Sequence, residues 1–520
     1  TIVMALLFGR VLLALIAGGL AGAIAFVWPS ARPDLGDLPG TLGDGAMHFA
    51  VDALFRRSLC EDFYLRITLF VVCLFMTVGV ITRNGGVHGL VALMQRRVRG
   101  AVSAQLAAWA TGLVIFFDDY TNCMVTGTAM RPLADSQRIS REKLAYIVDS
   151  TAAPVAGVSL FSTWVQYEIS QFSAPLTMVT DASGRPYTEQ DAFDVFLATL
   201  PFRFYCFLAL LFVPLIALSR RDFGPMLTAE RRARRQQGHV LAAASRPVGK
   251  GIVEGPEPTV PLRAVNGLVP LLILILGAGG AILGFGVRSD IALLQASVAA
   301  YVVAVALTLI QRLLSPLQLL AVSARSTRTL VPAFGILFLA WTLGHISGDL
   351  GTSYFLCASG RGAMAAEALP LVLFGLSGLI AFATGTSFGT MAILLPNVVI
   401  LAHQLGAESS FLGDPRLGGP ALMMLSIGAV LEGAIFGDHC SPISDTTVLS
   451  SLGSGCNHIA HVSTQLPYAL LVAVAALLCG YLPMVMIGPG WWPLSYALAI
   501  GFFVACLRLF GRDPAAGPAP

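Results

Sequence analysis

Residues 436–447 read Phe-Gly-Asp-His-Cys-Ser-Pro-Ile-Ser-Asp-Thr-Thr. They interrupt an apolar run, between 422–436 and 448–452. Two carboxylates, a histidine, four hydroxyls and a proline thus fall where the flanking sequence expects hydrocarbon. Unpaired polar groups are costly in lipid, so the cluster must face protein or a water-filled cavity. Pro442 frees backbone carbonyls that a continuous helix would bond. Side-chain oxygens and freed carbonyls together form a site for a cation or a small polar solute. Such a cluster points to a secondary transporter.

The surrounding chain supports a membrane setting. Its 520 residues are 56% hydrophobic and only 12% charged, against about 25% in a soluble domain. Mean hydropathy is +0.77. The net charge of +3 selects no partner, and nucleic acid is not expected. Nine cysteines occur without a Cys-x-x-Cys pair or zinc spacing and read as apolar fillers. A Cys60–Cys357 disulfide is one open pairing if both lie outside. The first apolar stretch is too long for a signal-peptide core and reads as a span.

A hydrocarbon core needs roughly 20 apolar residues per helix. This predicts about ten spans, at 4–28, 65–82, 143–173, 191–218, 263–286, 289–311, 329–348, 420–451, 462–487 and 493–510. Segments 101–130 and 368–405 are apolar but interrupted and read as re-entrant hairpins. Arginine and lysine place 83–100, 131–143 and 219–262 in the cytoplasm. Segment 29–62, with six acids against three arginines, belongs outside, as do 174–190 and 349–366. Both termini are then cytoplasmic. The fold class is an all-α polytopic membrane protein with a scaffold and a transport domain. Residues 219–262 form a polar, basic linker.

The halves resemble each other in order. Thr77-x-Gly79-x-Ile81 matches Thr342-x-Gly344-x-Ile346. Ala108–Gly112 matches Ala381–Gly385, and Asp149 with Pro154 matches Asp438 with Pro442. Five spans per half is an odd number, so the repeats, 1–286 and 287–510 with a tail at 511–520, are inverted. That is a recurring plan of transporters that bind at discontinuous helices.

Four segments carry the chemistry. In 436–447, Asp438, Ser441 and Asp445 fall on one helical face unless Pro442 breaks it. Hard cations prefer several oxygen ligands, so Na+ fits there. A buried carboxylate holds a proton or a metal ion but hardly both, the physical basis of antiport. Ser444 and Thr446 add hydroxyls. Glu432 and His439 are proton-carrier candidates, although Glu432 reads equally as a packed structural acid. In 383–390, Thr384, Thr386 and Ser387 supply hydroxyls around glycines; tight helix packing explains the same composition. In the first half, Asp118, Asp119 and Asn122 mark the hairpin, and Asp149 and Thr151 the helix after it. Asp118 and Asp119 point to different sides of a helix and differ in role. Arg131 and Lys143 are candidate salt-bridge partners for Asp135 or that pair. His458 and His461 lack a neighbouring acid or cysteine, which argues against a metal site.

These stretches resemble the NhaC-type Na+/H+ antiporter family of bacteria. The likeness lies in 116–172, beginning FFDDYTNCM, in ATGTSFGTMAILLP at 383–396, and in GAIFGDHCSPISDTT and HVSTQLPYAL within 433–470. It implies a bacterial inner (cell) membrane protein in which Asp118, Asp119, Asp149, Asp438, Ser441, Ser444 and Asp445 line the transport site. It implies Na+ and H+ as transported ions and no other cofactor, with a homodimer as an open arrangement. It does not fix the substrate. A coupled carrier of a small carboxylate or amino acid remains an alternative, and no buried arginine is evident to decide it. An intramembrane aspartyl protease would also use two acids, but needs neither the hydroxyl-rich chain nor mirrored hairpins.

Overall fold

A computed structural model describes residues 11–31, 38–95, 98–235, 256–257, 259–285, 287–329, 331–351, 365–409 and 411–516. The described chain is helical; its only extended pairings are the isolated bridges Thr180–Pro186 and Asp222–Arg512. Eight described helices are long and apolar enough to cross a membrane, or ten if each of two bent pairs is one span. The protein is an all-α, multi-pass membrane protein. Cys357, Arg246, Lys250 and the end of the tail lie outside the described residues, so the Cys60–Cys357 pairing does too.

Most expected spans appear as single helices, among them Asp62–Arg83, Ser289–Ile310 and His458–Ile487. Three are broken instead. The span expected at 143–173 bends by 49° between Arg141–Val158 and Thr163–Leu176. The one at 191–218 bends by 47° between Glu189–Phe202 and Phe204–Ser219. The one at 420–451 stops at Cys440 and resumes as Asp445–Ser454. In each serine-rich break a hydroxyl replaces the missing backbone partner: Ser162 accepts from Trp164 and Val165, and Ser444 accepts from Thr447.

Both interrupted segments do break. Ala101–Val114 ends before 115–118, and a second arm runs over 119–136 with a π-turn at Asn122–Thr126. Leu369–Thr384 ends at Gly385, and Ser387–Glu408 follows. The two second arms start alike. Asp118 and Thr386 are both extended N-caps whose side chains accept from Thr121 and Gly389 backbone N–H. One difference from expectation is length: each arm of the second hairpin is itself of spanning length. Both arms pack on Pro415–Cys440. An added Cβ at Gly437 would lie 2.1 Å from the Gly378 carbonyl, so small residues do set this approach.

The two halves interlock crosswise. Val11–Ala31 packs on Val331–Asp349, and Ser289–Ile310 packs on Asp62–Arg83. Asp445–Ser454 packs on the second arm of the first hairpin, and Thr163–Leu176 packs on Ser387–Glu408. The helix after each break therefore braces the opposite half's hairpin.

One face gathers the basic segments. Lys143 pairs with Asp222, Arg232 with Glu142, and Ser140 N–H donates to Glu230 at 2.8 Å. Asp222 and Arg512 exchange backbone hydrogen bonds of 3.0 and 2.9 Å. Lys143 thus serves the linker and not the aspartate pair, and Asp135 takes Arg141, 3.1 Å away. Elsewhere, Arg57 pairs with Asp349 at 2.8 Å, and His403 Nε2 meets the Thr180 carbonyl at 2.8 Å.

Candidate functional site

The hairpin tips and helix breaks meet in two places. Thr163 N–H donates to the Phe117 carbonyl at 3.0 Å, joining the first tip to the first break. Ser441 Oγ donates to the Phe382 carbonyl at 2.8 Å, joining the second tip to the second break. Gly385 has φ +68°, and a Cβ there would lie 2.7 Å from the Ile443 carbonyl, so glycine is required on both counts. The break mirroring Ser441–Ser444 is Ser159–Ser162. Asp149 lies earlier, beside a lesser irregularity at Thr151–Ala152, so it is not the structural counterpart of Asp438.

Five carboxylates converge where these breaks cross. Asp118, Asp119, Asp149 and Asp438 are buried, and Asp445 opens to the break beside exposed Ile443. Asp119 lies within electrostatic reach of Asp118 and Asp445, and Asp438 within reach of Asp445, Asp149 and Asp119. Asp118 Oδ2 is taken by Thr121 N–H and hydroxyl, and Asp438 Oδ2 accepts from Thr446 Oγ1 at 3.2 Å. Tyr120 donates its hydroxyl hydrogen to Asp445. Asp118 Oδ1, Asp119 Oδ2 and Asp438 Oδ1 are buried without any hydrogen-bond partner. Buried acceptors are normally satisfied, so carboxylate oxygens left without donors favour a cation or protons as partners. Among the described residues no three His, Cys, Asp or Glu side chains show metal-ligand spacing. A cation here would therefore draw also on hydroxyls and carbonyls.

Asp149 is held differently. Its Oδ2 accepts from Thr447 Oγ1 at 2.9 Å and Gln465 Nε2 at 2.7 Å, and its Oδ1 from Ser450 Oγ at 3.3 Å. All three donors come from the second half. Other expected residues turn inward on the backbone. Asn122 Nδ2 donates to the carbonyls of Gly112, Ile115 and Thr151, at 2.8, 3.3 and 2.6 Å. Thr151 and Thr384 hydroxyls donate to carbonyls in their own helices. Thr386 caps, Ser387 is buried beside it, and Ser444 caps while touching Thr446 Oγ1 at 3.0 Å. His439 uses both ring nitrogens, with Ser150 Oγ at 3.3 Å and Tyr205 OH at 2.7 Å.

Glu432 sits apart, in a buried triad. Arg203 Nε donates to it at 2.5 Å, and Cys206 N–H at 2.6 Å. The same guanidinium forks onto Glu168 at 2.9 and 3.0 Å and reaches the Gly157 carbonyl at 2.8 Å. Of the two readings of Glu432, this geometry favours the structural acid over the proton carrier. A buried arginine does exist, contrary to expectation, but two glutamates occupy it. Its position inside an apolar span was the signal that could have found it. Tyr120, Thr447, Ser450 and Gln465 were also missed, since only the fold brings them to the acids.

Residues 168–483 match the Na+/H+ antiporter family. The chain belongs to that family. An uncharacterized protein of Haemophilus influenzae is 30% identical over 430 residues, covering 79% of this chain and 77% of its own length. An uncharacterized Na+/H+ antiporter of the same organism is 30% identical over 167 residues, 31% of this chain and 32% of that one. In fold, the family member resembles the Alcanivorax borkumensis YdaH transporter, with a TM-score of 0.57 at 15% identity over 94% of this chain and 99% of that one. The family and these antiporter names make this chain a secondary transporter and not an enzyme.

Proposed function

We propose that this protein exchanges Na+ for H+ by alternating access, across a bacterial inner membrane with both termini cytoplasmic. The observation that carries the reading is the set of three buried, partnerless carboxylate oxygens on Asp118, Asp119 and Asp438. With Asp445 they give a strongly anionic pocket whose charges repel until a cation or protons enter. Na+ would be held by Asp438, Asp445 and Ser441 with freed backbone carbonyls, and the hairpin-tip aspartates would add negative charge beside it. Asp149, whose two oxygens accept from two hydroxyls and an amide, is where a proton enters this carboxylate group. The inverted repeat, and the crosswise bracing of each hairpin by the opposite half, supply the bistable frame that exchange needs. The basic segments 131–143 and 219–235 share one face, which supports placing that face in the cytoplasm.

Proteoliposomes tested with Na+, Li+, K+ and small carboxylates under imposed pH gradients decide this reading. Na+-driven proton flux that saturates with Na+ is the expected result. Saturable exchange of a carboxylate or amino acid, indifferent to Na+, would replace it with the organic-substrate reading.

A further inference from the structure

His458 and His461 open the helix His458–Ile487 and face Asp445–Ser454 across one serine. Ser451 Oγ lies 3.0 Å from His458 Nδ1 and 2.8 Å from His461 Nδ1. The other ring nitrogens face oxygens that only accept. His458 Nε2 is 2.6 Å from the Pro442 carbonyl, and His461 Nε2 is 2.8 Å from Gln465 Oε1. Gln465 cannot be turned round, because its Nε2 donates to Asp149 Oδ2 and, at 2.5 Å, to the His439 carbonyl.

Hydrogen counting then shows a deficit. Each of these four ring contacts needs one hydrogen. Two neutral imidazoles and one hydroxyl bring three. The Thr447 carbonyl, 2.8 Å from Ser451 Oγ, competes for the hydroxyl's. One added proton completes the four ring contacts, with the hydroxyl hydrogen turned away from Thr447. Both Nε2–H groups then donate to their oxygens, one Nδ1–H donates to Ser451, and Ser451 donates to the other Nδ1.

We propose that His458, Ser451 and His461 form a proton relay from the face carrying the basic segments to Asp149; the proposal rests on the proton-coupled reading above. His458 is half-buried at the start of its helix, beside the turn whose Gly455 carbonyl accepts from Arg141. A hydronium ion protonates His458. Its Nδ1–H passes to Ser451 Oγ as the serine's own hydrogen passes to His461 Nδ1. The Nε2–H of His461, now an imidazolium, rests on Gln465 Oε1 at 2.8 Å and lies 4.0 Å from Asp149 Oδ2, so a turn of the ring from the amide to the carboxylate delivers the proton. One proton has moved from water to a carboxylate, and no other bond has changed. Rotation of the hydroxyl and tautomer exchange of the rings restore the start. The ionisable neighbours of His461 are Asp149, His458 and His439. Arg141, Glu142 and Arg232 surround Cys456 in the turn leading to His458. Asp149 is thus the single acid that an imidazolium at His461 meets, and it ceases to hold the proton there once it is neutral.

The test measures proton flux and Na+ binding together in the intact transporter. Ser451→Ala should slow Na+-coupled proton flux about tenfold or more, with Na+ affinity by calorimetry unchanged. Ser451→Thr, which keeps the hydroxyl, should restore the rate. His458→Ala should be slow and regain speed when imidazole is added to the medium, which a merely structural role would not do. Wild-type rate and pH profile in Ser451→Ala, or no response of His458→Ala to imidazole, overturns the relay. If the unaltered protein moves Na+ without protons, the coupled reading falls and the relay with it. If it couples protons and these variants change nothing, the relay alone falls.

Discussion

At the scale of single residues, the acids divide by how their oxygens are used. Asp438 keeps one buried oxygen without a partner, whereas both oxygens of Asp149 accept hydrogen bonds. Asp438→Asn and Asp149→Asn are each expected to abolish coupled exchange while leaving folding nearly intact, because the amide keeps shape but not charge. They should differ in one respect: Asp438→Asn loses Na+ binding, and Asp149→Asn keeps it but makes transport insensitive to pH. Flux and calorimetry on both variants check this. Asn122 is a different kind of residue. Its amide ties three carbonyls freed at two irregular segments, so Asn122→Ala should cost on the order of 3 kcal/mol in thermal or denaturant unfolding. The carboxylates were legible in sequence because charge within an apolar run has few explanations. Asn122 was legible as a polar residue at a hairpin but not as a backbone tie, because its partners are 7 to 29 residues away.

At the scale of elements, the site is built from broken helices. Gly385 and Pro442 announced the second hairpin tip and the second break, since glycine tolerates positive φ and proline withholds a donor. The bend at Ser159–Ser162 had no such marker. It contains no proline, and only the Ser162 cap shows why the chain restarts there. The sequence repeat pairs Asp149 with Asp438, whereas the two breaks that meet hairpin tips are Ser159–Ser162 and Ser441–Ser444. Gly385→Ala forces an L side chain to φ +68° and a carbonyl contact of 2.7 Å. It should cost about 1–2 kcal/mol and slow transport strongly, seen as a lower melting temperature with reduced flux. The bend at Arg203 is held by charge. Arg203→Gln leaves two buried glutamates facing each other and should destabilise by about 3–5 kcal/mol. Arg203→Lys should recover part of that loss in the same unfolding assay, because one ammonium cannot fork onto Glu168 while serving Glu432.

At the scale of the whole molecule, the two halves are held as a pair by mutual bracing, while the ion pairs Lys143–Asp222 and Arg232–Glu142 tie segments within the first half. Hydropathy located most of the membrane helices and both interrupted segments, because length and apolarity are local properties of sequence, but it did not show that each arm of the second hairpin has spanning length. The crosswise bracing was not legible, since it depends on which helix reaches which hairpin. With native thiols removed, a cysteine at Ser136 should label from the cytoplasm and one at Ser183 from outside; the reverse at Ser136 would contradict the orientation. The central claim is that a proton and a cation compete for one group of carboxylates. Calorimetric titration of Na+ binding across pH tests it most directly. Below the pKa of the site, apparent affinity should weaken about tenfold for each unit that pH falls, about 1.36 kcal/mol, and above it affinity should level off. Na+ affinity independent of pH, or unchanged in Asp438→Asn, would contradict the account.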